Sequence, residues 1–271
     1  MKFIKLILPI IIVALAVSCD VIPENEYYTP IVNPQQGETK RIALIEDFTG
    51  HRCPNCPKAA VETQKLQALY GNSVILMAIH AGHQSNPAPG FTTDYRTPFG
   101  TEINDYFQIP SYPKGMVNRV EYDGGRIMDH GEWEAKVIEI IDDEPLVNVR
   151  FESIYVHESD SCRVRIAVNT NFVGNTKIES KLCAFITESG MVSAQIDGST
   201  TVEDYVHNHV LRTAFNESGT WGIDLEGIGA ETNTFNVTLK PWWVPDNCEI
   251  VIYVYDAQTM EILQAATHHV K

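Results

Sequence analysis

The chain has 271 residues and a formal net charge of −15, because 35 acidic residues outnumber 20 basic ones. A field of this sign repels nucleic acid and anionic bilayers, so the composition excludes nucleic acid as a partner and excludes docking on a membrane through a basic face. The length exceeds the usual size of one domain, roughly 100 to 200 residues, and favours two domains. Six cysteines in a chain that begins like an exported protein permit both structural and redox-active disulfides.

The amino terminus has the parts of a secretory signal peptide. Lys2 and Lys5 precede an apolar run from Leu6 to Val17, which is shorter than a membrane-spanning helix requires. The run ends at Cys19 and resembles a bacterial lipobox, which implies that residues 1–19 are a lipoprotein signal peptide and that acyl chains on Cys19 anchor the protein in a membrane. Plain secretion is the alternative. Residues 20–38 are rich in polar residues and proline and are predicted to form an extended tether.

Residues 39–144 alternate patterns typical of strands and helices. The segments "RIALIEDF" and "NSVILMAIH" predict buried strands, and "CPKAAVETQKLQALYG" between them predicts a helix that ends at Gly71. The segment "DHGEWEAKVIEIIDDEP" predicts a further helix, which begins with a capping box from Asp129 to Glu132 and ends before Pro145. This order of elements indicates a parallel sheet.

Beyond residue 145 the hydrophobic period changes to two. In "SCRVRIAVNT", "TFNVTL" and "CEIVIYVYD" apolar residues alternate with polar ones, as expected for strands with one face in a core. About seven such segments and no long helix predict an immunoglobulin-like β-sandwich over residues 145–271. The domain boundary is expected near residues 144–146.

Two cysteines precede the first predicted helix in "EDFTGHRCPNCPKAA". At a helix start, unpaired backbone N–H groups stabilise a thiolate, so Cys53 is expected to be the attacking sulfur. Cys56 is then spaced to resolve a mixed disulfide. His51, Arg52 and Lys58 form a local basic patch that would further favour the thiolate.

The residues around this pair resemble those of thioredoxin-like proteins. An acidic residue followed by Phe on the strand before the cysteines is present as Asp47-Phe48, and the resemblance implies that Asp47 is the buried proton acceptor for Cys56. A cis-proline that aligns the substrate backbone is implied at Tyr112-Pro113. Residues 39–144 are therefore expected to form a thioredoxin-like domain.

The whole chain is similar to the Bacteroidota outer-membrane lipoproteins named after a twenty-eight-kilodalton outer-membrane protein. The matching segments are the lipobox, "EDFTGHRCPNCPKA", "YPKGMVNR", and "YVHNHVLRTAFN" followed by "GTWG". The similarity implies a thioredoxin-like domain followed by a sandwich at the outer membrane of the cell envelope. It leaves open whether the protein faces the periplasm or the cell surface.

A metal site at the cysteine pair is a weaker reading. Cys53 and Cys56 with His51, His80 or His83 are chemically suitable ligands for Cu(I) or zinc, but no second CxxC completes a four-ligand set. We therefore predict no metal, and no cofactor other than the redox-active disulfide.

Three further groups have both a structural and a functional reading. His207 and His209 share one face of a predicted strand, which fits a metal pair, although a solvent-facing or hydrogen-bonded pair is the simpler reading. Trp242 and Trp243 suit either a binding surface or a sandwich end with one ring in the core. The pairing of the remaining cysteines stays open: Cys162, Cys183 and Cys248.

Two functions follow as hypotheses. In the first, the protein exchanges disulfides with cysteine-bearing envelope proteins: Cys53 attacks, Cys56 resolves, Asp47 moves the proton, and Tyr112 with Pro113 aligns the substrate. The sequence does not distinguish an oxidant from a reductant or an isomerase, because this motif type spans roughly −270 to −120 mV.

In the second hypothesis, the protein is a non-enzymatic surface or adhesion module. The sandwich and a long loop from Gly82 to Gly100 bind an unknown partner, and the cysteine pair is structural. An accessible Cys53 favours exchange, whereas a buried Cys53, or a Cys56 without Asp47 nearby, favours the binding module.

Overall fold

The computed structural model describes residues 40–157 and 161–271 and the backbone of residues 29–32. The predicted signal peptide, Cys19 and most of the predicted tether lie outside the described residues. Among the helices of the described ranges, none combines the length and apolar character that crossing a membrane requires.

The first part of the chain alternates strands and helices as predicted. Its elements are β1 (Thr29–Val32), β2 (Ala43–Thr49), α1 (Cys56–Tyr70), β3 (Val74–His80), α2 (Pro98–Phe107), β4 (Lys114–Val117) and α3 (Trp133–Asp142). The predicted end of α1 at Gly71, which has a φ of 53°, is confirmed. The capping box between Asp129 and Glu132 is also present, in the 3-10 turn that leads into α3. Helix α2 was not predicted, and it occupies part of the segment expected to be a long loop.

The second part consists of strands. They are β5 (Val147–His157), β6 (Cys162–Phe172), β7 (Ser180–Glu188), β8 (Met191–Asp197), β9 (Thr200–His207), β10 (Val210–Ala214), β11 (Ile223–Asp224), β12 (Ala230–Leu239), β13 (Cys248–Asp256) and β14 (Ile262–His269). The segment "DYVHNHVLRTAF" was expected to be one strand, but His209 adopts a φ of 53° and divides it into β9 and β10. Strands β8 and β11 were not predicted.

One large sheet crosses the predicted domain boundary. Its strand order is β14-β13-β7-β10-β3-β2-β4, with β11 attached to β7. The strands β2 and β3 are parallel, and β10 pairs in parallel with the other edge of β3 through Val210 and Ala78. A second sheet has the order β1-β5-β6-β12, and β8 and β9 form a separate hairpin. The fold is thus a mixed α/β arrangement dominated by sheets, which confirms the fold class at this level.

The large sheet is buried on both faces. In β7, Leu182, Ala184 and Ile186 face the second sheet, whereas Cys183 and Phe185 face a core that includes α2. Helices α1 and α3 cover β2, β3 and β4 through a third apolar cluster, whose members include Ala59, Leu66, Trp133 and Val137. Because both faces of the sheet are covered, its central strands consist of nearly continuous apolar runs.

A buried ion pair within the first part of the chain is hydrogen-bonded to a tyrosine of the second part. The Arg119 guanidinium donates to the Glu46 carboxylate through Nε at 2.7 Å and Nη2 at 2.6 Å, and Nη2 also donates to Tyr253 Oη at 3.0 Å. Both charged side chains are almost fully buried, and aromatic rings of Phe107 and Tyr255 lie within 6 Å of the guanidinium. Such a bidentate pair gives an Arg in the interior its counter-charge.

We predict that Arg119→Met destabilises the protein by about 3–5 kcal/mol, because it leaves the Glu46 carboxylate buried without a counter-charge. The double variant Glu46→Gln with Arg119→Met should recover a large part of this loss. Urea denaturation measures both free energies of unfolding. Lys136→Ala breaks the more exposed pair with Glu139 and serves as the control, with an expected loss below about 1 kcal/mol. An Arg119→Met variant as stable as this control would contradict the assignment.

Candidate functional site: a covered disulfide

The two cysteines lie where β2 turns into α1. Strand β2 ends at Thr49, a short loop follows, and Cys56 is the first residue of the helix. Cys53 and Cys56 are joined by a disulfide. The loop is closed by two backbone hydrogen bonds, from Cys53 N to Gly50 O at 3.0 Å and from Cys56 N to Cys53 O at 3.3 Å. The helix tolerates Pro57 because the first turn has no intrahelical N–H bond to lose.

Cys53 does not meet the condition of accessibility that distinguishes exchange from the binding module. Cys53 is 0% exposed and Cys56 is 2% exposed. The cover is the hairpin of β8 and β9, which the amino-acid sequence places far from the cysteines. Backbone N–H groups of Ile196 and Gly198 donate to the carbonyls of His51 and Pro54, at 2.9 and 2.8 Å.

Gln195 adds a side-chain contact to this cover. Its Nε2 donates to the carbonyl of Cys53 at 3.0 Å and lies 3.4 Å from the carbonyl of Gly50. The residue is itself buried. Gln195 and Ile196 of β8, together with Gly198 in the turn that follows, therefore hold the loop that carries the disulfide.

A small cavity lies between α1 and β9, beside Cys56. Its volume is about 50 Å³, which is enough for water. Polar and sulfur-bearing residues that line it include Asp47, Thr49, Cys56, Thr63, His80, Gln195, Tyr205 and His207. The sequence-predicted partners Asp47 and Cys56 therefore line the same cavity.

The Asp47 carboxyl is suited to proton transfer. Burial raises the pKa of Asp47 from 3.8 to about 7, because the ionised form loses its hydration. Its Oδ1 is buried without a hydrogen-bond partner. A carboxyl with a pKa near neutrality holds and releases a proton at the pH where thiols exchange, which is what an acid–base group for Cys56 requires.

Three histidines and a tyrosine pack beside the cavity. The rings of His80 and His207 each lie 4.9 Å from the Tyr95 ring, and the His51 ring lies 6.3 Å from it. Burial lowers the pKa of His80 well below its ordinary value and that of His207 to about 4, and it also lowers the pKa of His51. The expectation that His51 contributes positive charge is therefore wrong, because its burial favours the neutral imidazole.

The other members of the expected basic patch lie near the surface. Arg52 donates to the carbonyl of Asn86 at 3.3 Å, and Lys58 donates to Asn55 Oδ1 at 3.1 Å. Lys58 is exposed. These two cations remain beside the loop, but each already contacts a neutral acceptor.

Tyr112 and Pro113 lie at the same end of the sheet as the cysteines. The bond between them is cis, as predicted. The residue after Pro113, Lys114, pairs with Phe48 at the start of β4, so Pro113 precedes β4 near the point where β2 ends. The Tyr112 hydroxyl donates to Asn104 Oδ1 at 2.6 Å. Neither Tyr112 nor Pro113 lines the cavity beside Cys56.

The described residues contain no cluster of three His, Cys, Asp or Glu side chains arranged to hold a metal. His207 and His209 do not form a pair, because His207 is buried against aromatic rings whereas His209 Nδ1 lies 3.3 Å from Glu249 Oε2. Of the two interpretations of Trp242 and Trp243, the structure fits the one with a single ring in the core, because Trp243 packs in the core and Trp242 is 71% exposed.

The remaining cysteines of the second part are free thiols. Cys183 and Cys248 are buried and Cys162 is half-buried. Burial raises the pKa of both Cys183 and Cys248 to about 12, which makes them poor nucleophiles. Cys162 Sγ lies 3.2 Å from His157 Nδ1.

Sequence reasoning missed the residues of the cover. The signal for the hairpin was present, since "QIDGSTTV" places Gly198-Ser199 as a two-residue turn between two short polar strands. The signal for its location was absent, because nothing local to residues 191–207 points to the cysteines. The positions of Gln195 and Tyr205 beside the disulfide are therefore recognised only from the structure.

Residues 101–271 match the family model described as outer membrane protein Omp28. The chain belongs to the Omp28 family. The predicted family resemblance and outer-membrane location in the cell envelope are thereby confirmed. The match includes the hairpin, Tyr112 and Pro113, whereas Asp47, Cys53 and Cys56 lie before it. Among curated proteins, none matches the chain.

Two solved structures share the fold over most of the chain. HBP35 of Porphyromonas gingivalis aligns with a TM-score of 0.61 at 16% identity, over 86% of this chain and 76% of that one. Protein AGR_C_4864 from Agrobacterium tumefaciens aligns with a TM-score of 0.52 at 14% identity, over 87% of this chain and 97% of that one. A domain of the outer membrane lipoprotein Omp28 from P. gingivalis aligns over 45% of this chain and 86% of that one, at 21% identity and a TM-score of 0.32.

We predict that Asp47→Asn changes how stability depends on pH. The folded pKa of about 7 exceeds the unfolded value of 3.8, so folded Asp47 keeps a proton that the unfolded chain releases. Its contribution to stability is therefore present below pH 3.8 and is lost as the pH rises towards 7.

Between pH 5 and pH 8, the free energy of unfolding of Asp47→Asn should rise relative to that of the wild type by an amount on the order of 2 kcal/mol. Urea denaturation at each pH measures this difference. Asp123→Asn, at an exposed position, is the control and should leave the difference unchanged. If Asp47→Asn and Asp123→Asn gave the same pH profile, Asp47 would not titrate near neutrality.

Proposed function

We propose that this outer-membrane lipoprotein exchanges disulfides with cysteine-bearing proteins of the envelope. The observation that carries the proposal is the shared cavity of Asp47 and Cys56 at the start of α1, next to the disulfide. A purely structural disulfide does not require a carboxyl with a pKa of about 7 beside one of its sulfurs. Acylated Cys19 is proposed as the anchor that holds the protein at the membrane.

The chemistry begins from the reduced pair. The Cys53 thiolate attacks a partner disulfide, and a mixed disulfide forms while the partner's second sulfur leaves as a thiolate. Cys56 loses its proton to Asp47 and attacks Cys53 Sγ, which releases the partner. The partner gains two electrons and its two sulfurs leave as thiolates, which take one proton from Asp47 and one from the solvent, and Cys53 and Cys56 become a disulfide. The reverse sequence oxidises a partner dithiol, and Tyr112 with Pro113 is proposed to align the partner backbone.

We propose that residues 39–144 form a thioredoxin-like unit and residues 145–271 an immunoglobulin-like sandwich. The parallel β2–α1–β3 unit with antiparallel β4 supports the first, and two sheets packed around one core support the second. The two units share strands of one sheet, since β10 pairs with β3.

The second candidate function is a surface or adhesion module that binds an unknown partner through the sandwich. The burial of Cys53 favours it, because a covered sulfur cannot meet a partner without movement of the hairpin. In this case the disulfide is structural, and Asp47 is a buried carboxyl without a catalytic role.

Equilibration with glutathione buffers of graded potential, followed by alkylation, separates the two functions. For exchange we predict a reversible midpoint for Cys53–Cys56 between roughly −270 and −120 mV, which also tells the direction that the protein drives. Cys53→Ser is the control and should abolish the transition. A disulfide that stays closed in the most reducing buffer, or a pair that never oxidises, would favour the binding module.

A further inference from the structure

The hairpin is an insertion at one end of two paired strands. It leaves the large sheet after β7 and returns at β10, where Glu188 and Val210 face each other. Its own strands pair only with each other among the described residues. The hairpin therefore touches the sheet at its base and reaches the disulfide with its tip.

The base has two well-defined joints. Gly190 has a φ of 74° and His209 a φ of 53°, and they flank the two strands. Gly190 N donates to Asn208 Oδ1 at 3.0 Å, and His209 N donates to Ser189 Oγ at 2.9 Å. These bonds hold the base closed independently of what the tip contacts. A rotation of the hairpin would separate His207 from His80 and Ser193 from Tyr95, but it would break no backbone pairing of the large sheet.

The tip makes contacts that another polypeptide could reproduce. Ile196 and Gly198 donate backbone N–H groups to the carbonyls of His51 and Pro54, so the cover depends on main-chain donors two residues apart. Any extended chain presents donors with this spacing on one edge. The contacts are therefore independent of side-chain sequence, with the exception of Gln195.

The closed hairpin leaves polar groups poorly satisfied. Asp47 Oδ1 and His80 Nδ1 are buried without a partner beneath it, and the cavity separates β9 from α1. Burial of unpartnered polar atoms costs free energy. On the outer face, Val192 and Val206 form an exposed apolar pair, at 62% and 47% exposure. The unpartnered polar atoms therefore destabilise the closed position of the hairpin, and this position also leaves the Val192–Val206 pair exposed to solvent.

We propose that the β8–β9 hairpin is a gate that occupies the substrate position, and that an extended cysteine-bearing polypeptide opens it by replacing Ile196 and Gly198 on the carbonyls of His51 and Pro54. The inference rests on the proposed exchange function for its purpose. The gate explains how a buried disulfide can exchange with a partner, because Cys53 and Cys56 react only when a peptide chain takes the place of the hairpin tip.

The test measures how fast dithiothreitol reduces Cys53–Cys56, in a Cys162→Ser background that removes the half-buried thiol from the alkylation readout. We expect a variant in which Gly190 is joined directly to Asn208 to be reduced at least tenfold faster than the parent. Gln195→Ala should be reduced faster by a smaller factor. Glu203→Gln, at an exposed position on the same hairpin, should behave as the parent does.

Two hydrogen-exchange measurements on the parent test the gate even if the shortened variant fails to fold. In the parent, hydrogen exchange of the Ile196 and Gly198 amides should be faster than that of the Leu76 and Met77 amides in β3. A synthetic peptide with two cysteines should speed this exchange further. Equal reduction rates in the parent and Gln195→Ala, together with Ile196 and Gly198 amides as protected as those of β3, would overturn the gate.

The outcomes also distinguish the gate from the exchange function. A shortened variant that dithiothreitol reduces quickly, but that exchanges no disulfide with the two-cysteine peptide, supports the gate and contradicts the function. A parent that exchanges disulfides with the peptide at the same rate as the shortened variant supports the function and contradicts the gate.

Discussion

The parallel pairing of β10 with β3 determines how the disulfide is covered. The chain reaches β10 directly from the hairpin, and Ala78 N donates to His209 O at 2.8 Å at this junction. Because β3 runs beside β2, and β2 leads into the loop with Cys53, the pairing brings residues 195–198 onto that loop. Without it, the second part of the chain would have no reason to contact the cysteines. The Glu46–Arg119–Tyr253 contact links β2 to β13 within the same sheet.

This arrangement gives one disulfide two properties that seem opposed. The sulfurs are shielded as in a structural bridge, yet a carboxyl whose pKa is raised by burial to about 7 and a small cavity lie beside Cys56. Buried polar atoms without partners mark a region that is not optimised for stability alone. A cover that moves reconciles the two properties, since it protects the pair from small reductants and oxidants while it leaves a route for a polypeptide. The location of the protein in the envelope, where thiols meet oxidants, suits such protection.

The sequence predicted the elements whose causes are local. The run of buried residues in β2, the glycine after α1 and the capping box before α3 act within a few residues, and so does the alternation in β6 and β12. The nearness of Asp47 to Cys56 was implied by the resemblance to thioredoxin-like proteins, in which the two residues lie on consecutive elements. Pairings between distant segments were beyond local patterns: nothing in "HVLRTAF" specifies Ala78 as a neighbour, and so neither the cover nor the burial of Cys53 could be foreseen. The expectation that His51 carries a positive charge was wrong for the same reason, because the pKa of His51 depends on the distant residues that pack over it.

The most direct test of disulfide exchange is to trap the mixed disulfide in the envelope of intact cells. In a Cys56→Ser variant, the attacking thiol of Cys53 remains but the partner cannot be released. We predict disulfide-linked adducts of the full chain that disappear on reduction and are absent when Cys53 is also replaced by Ser. If Cys56→Ser formed no adducts, or if the same adducts formed without Cys53, the protein would not be an exchange catalyst and its disulfide would be structural.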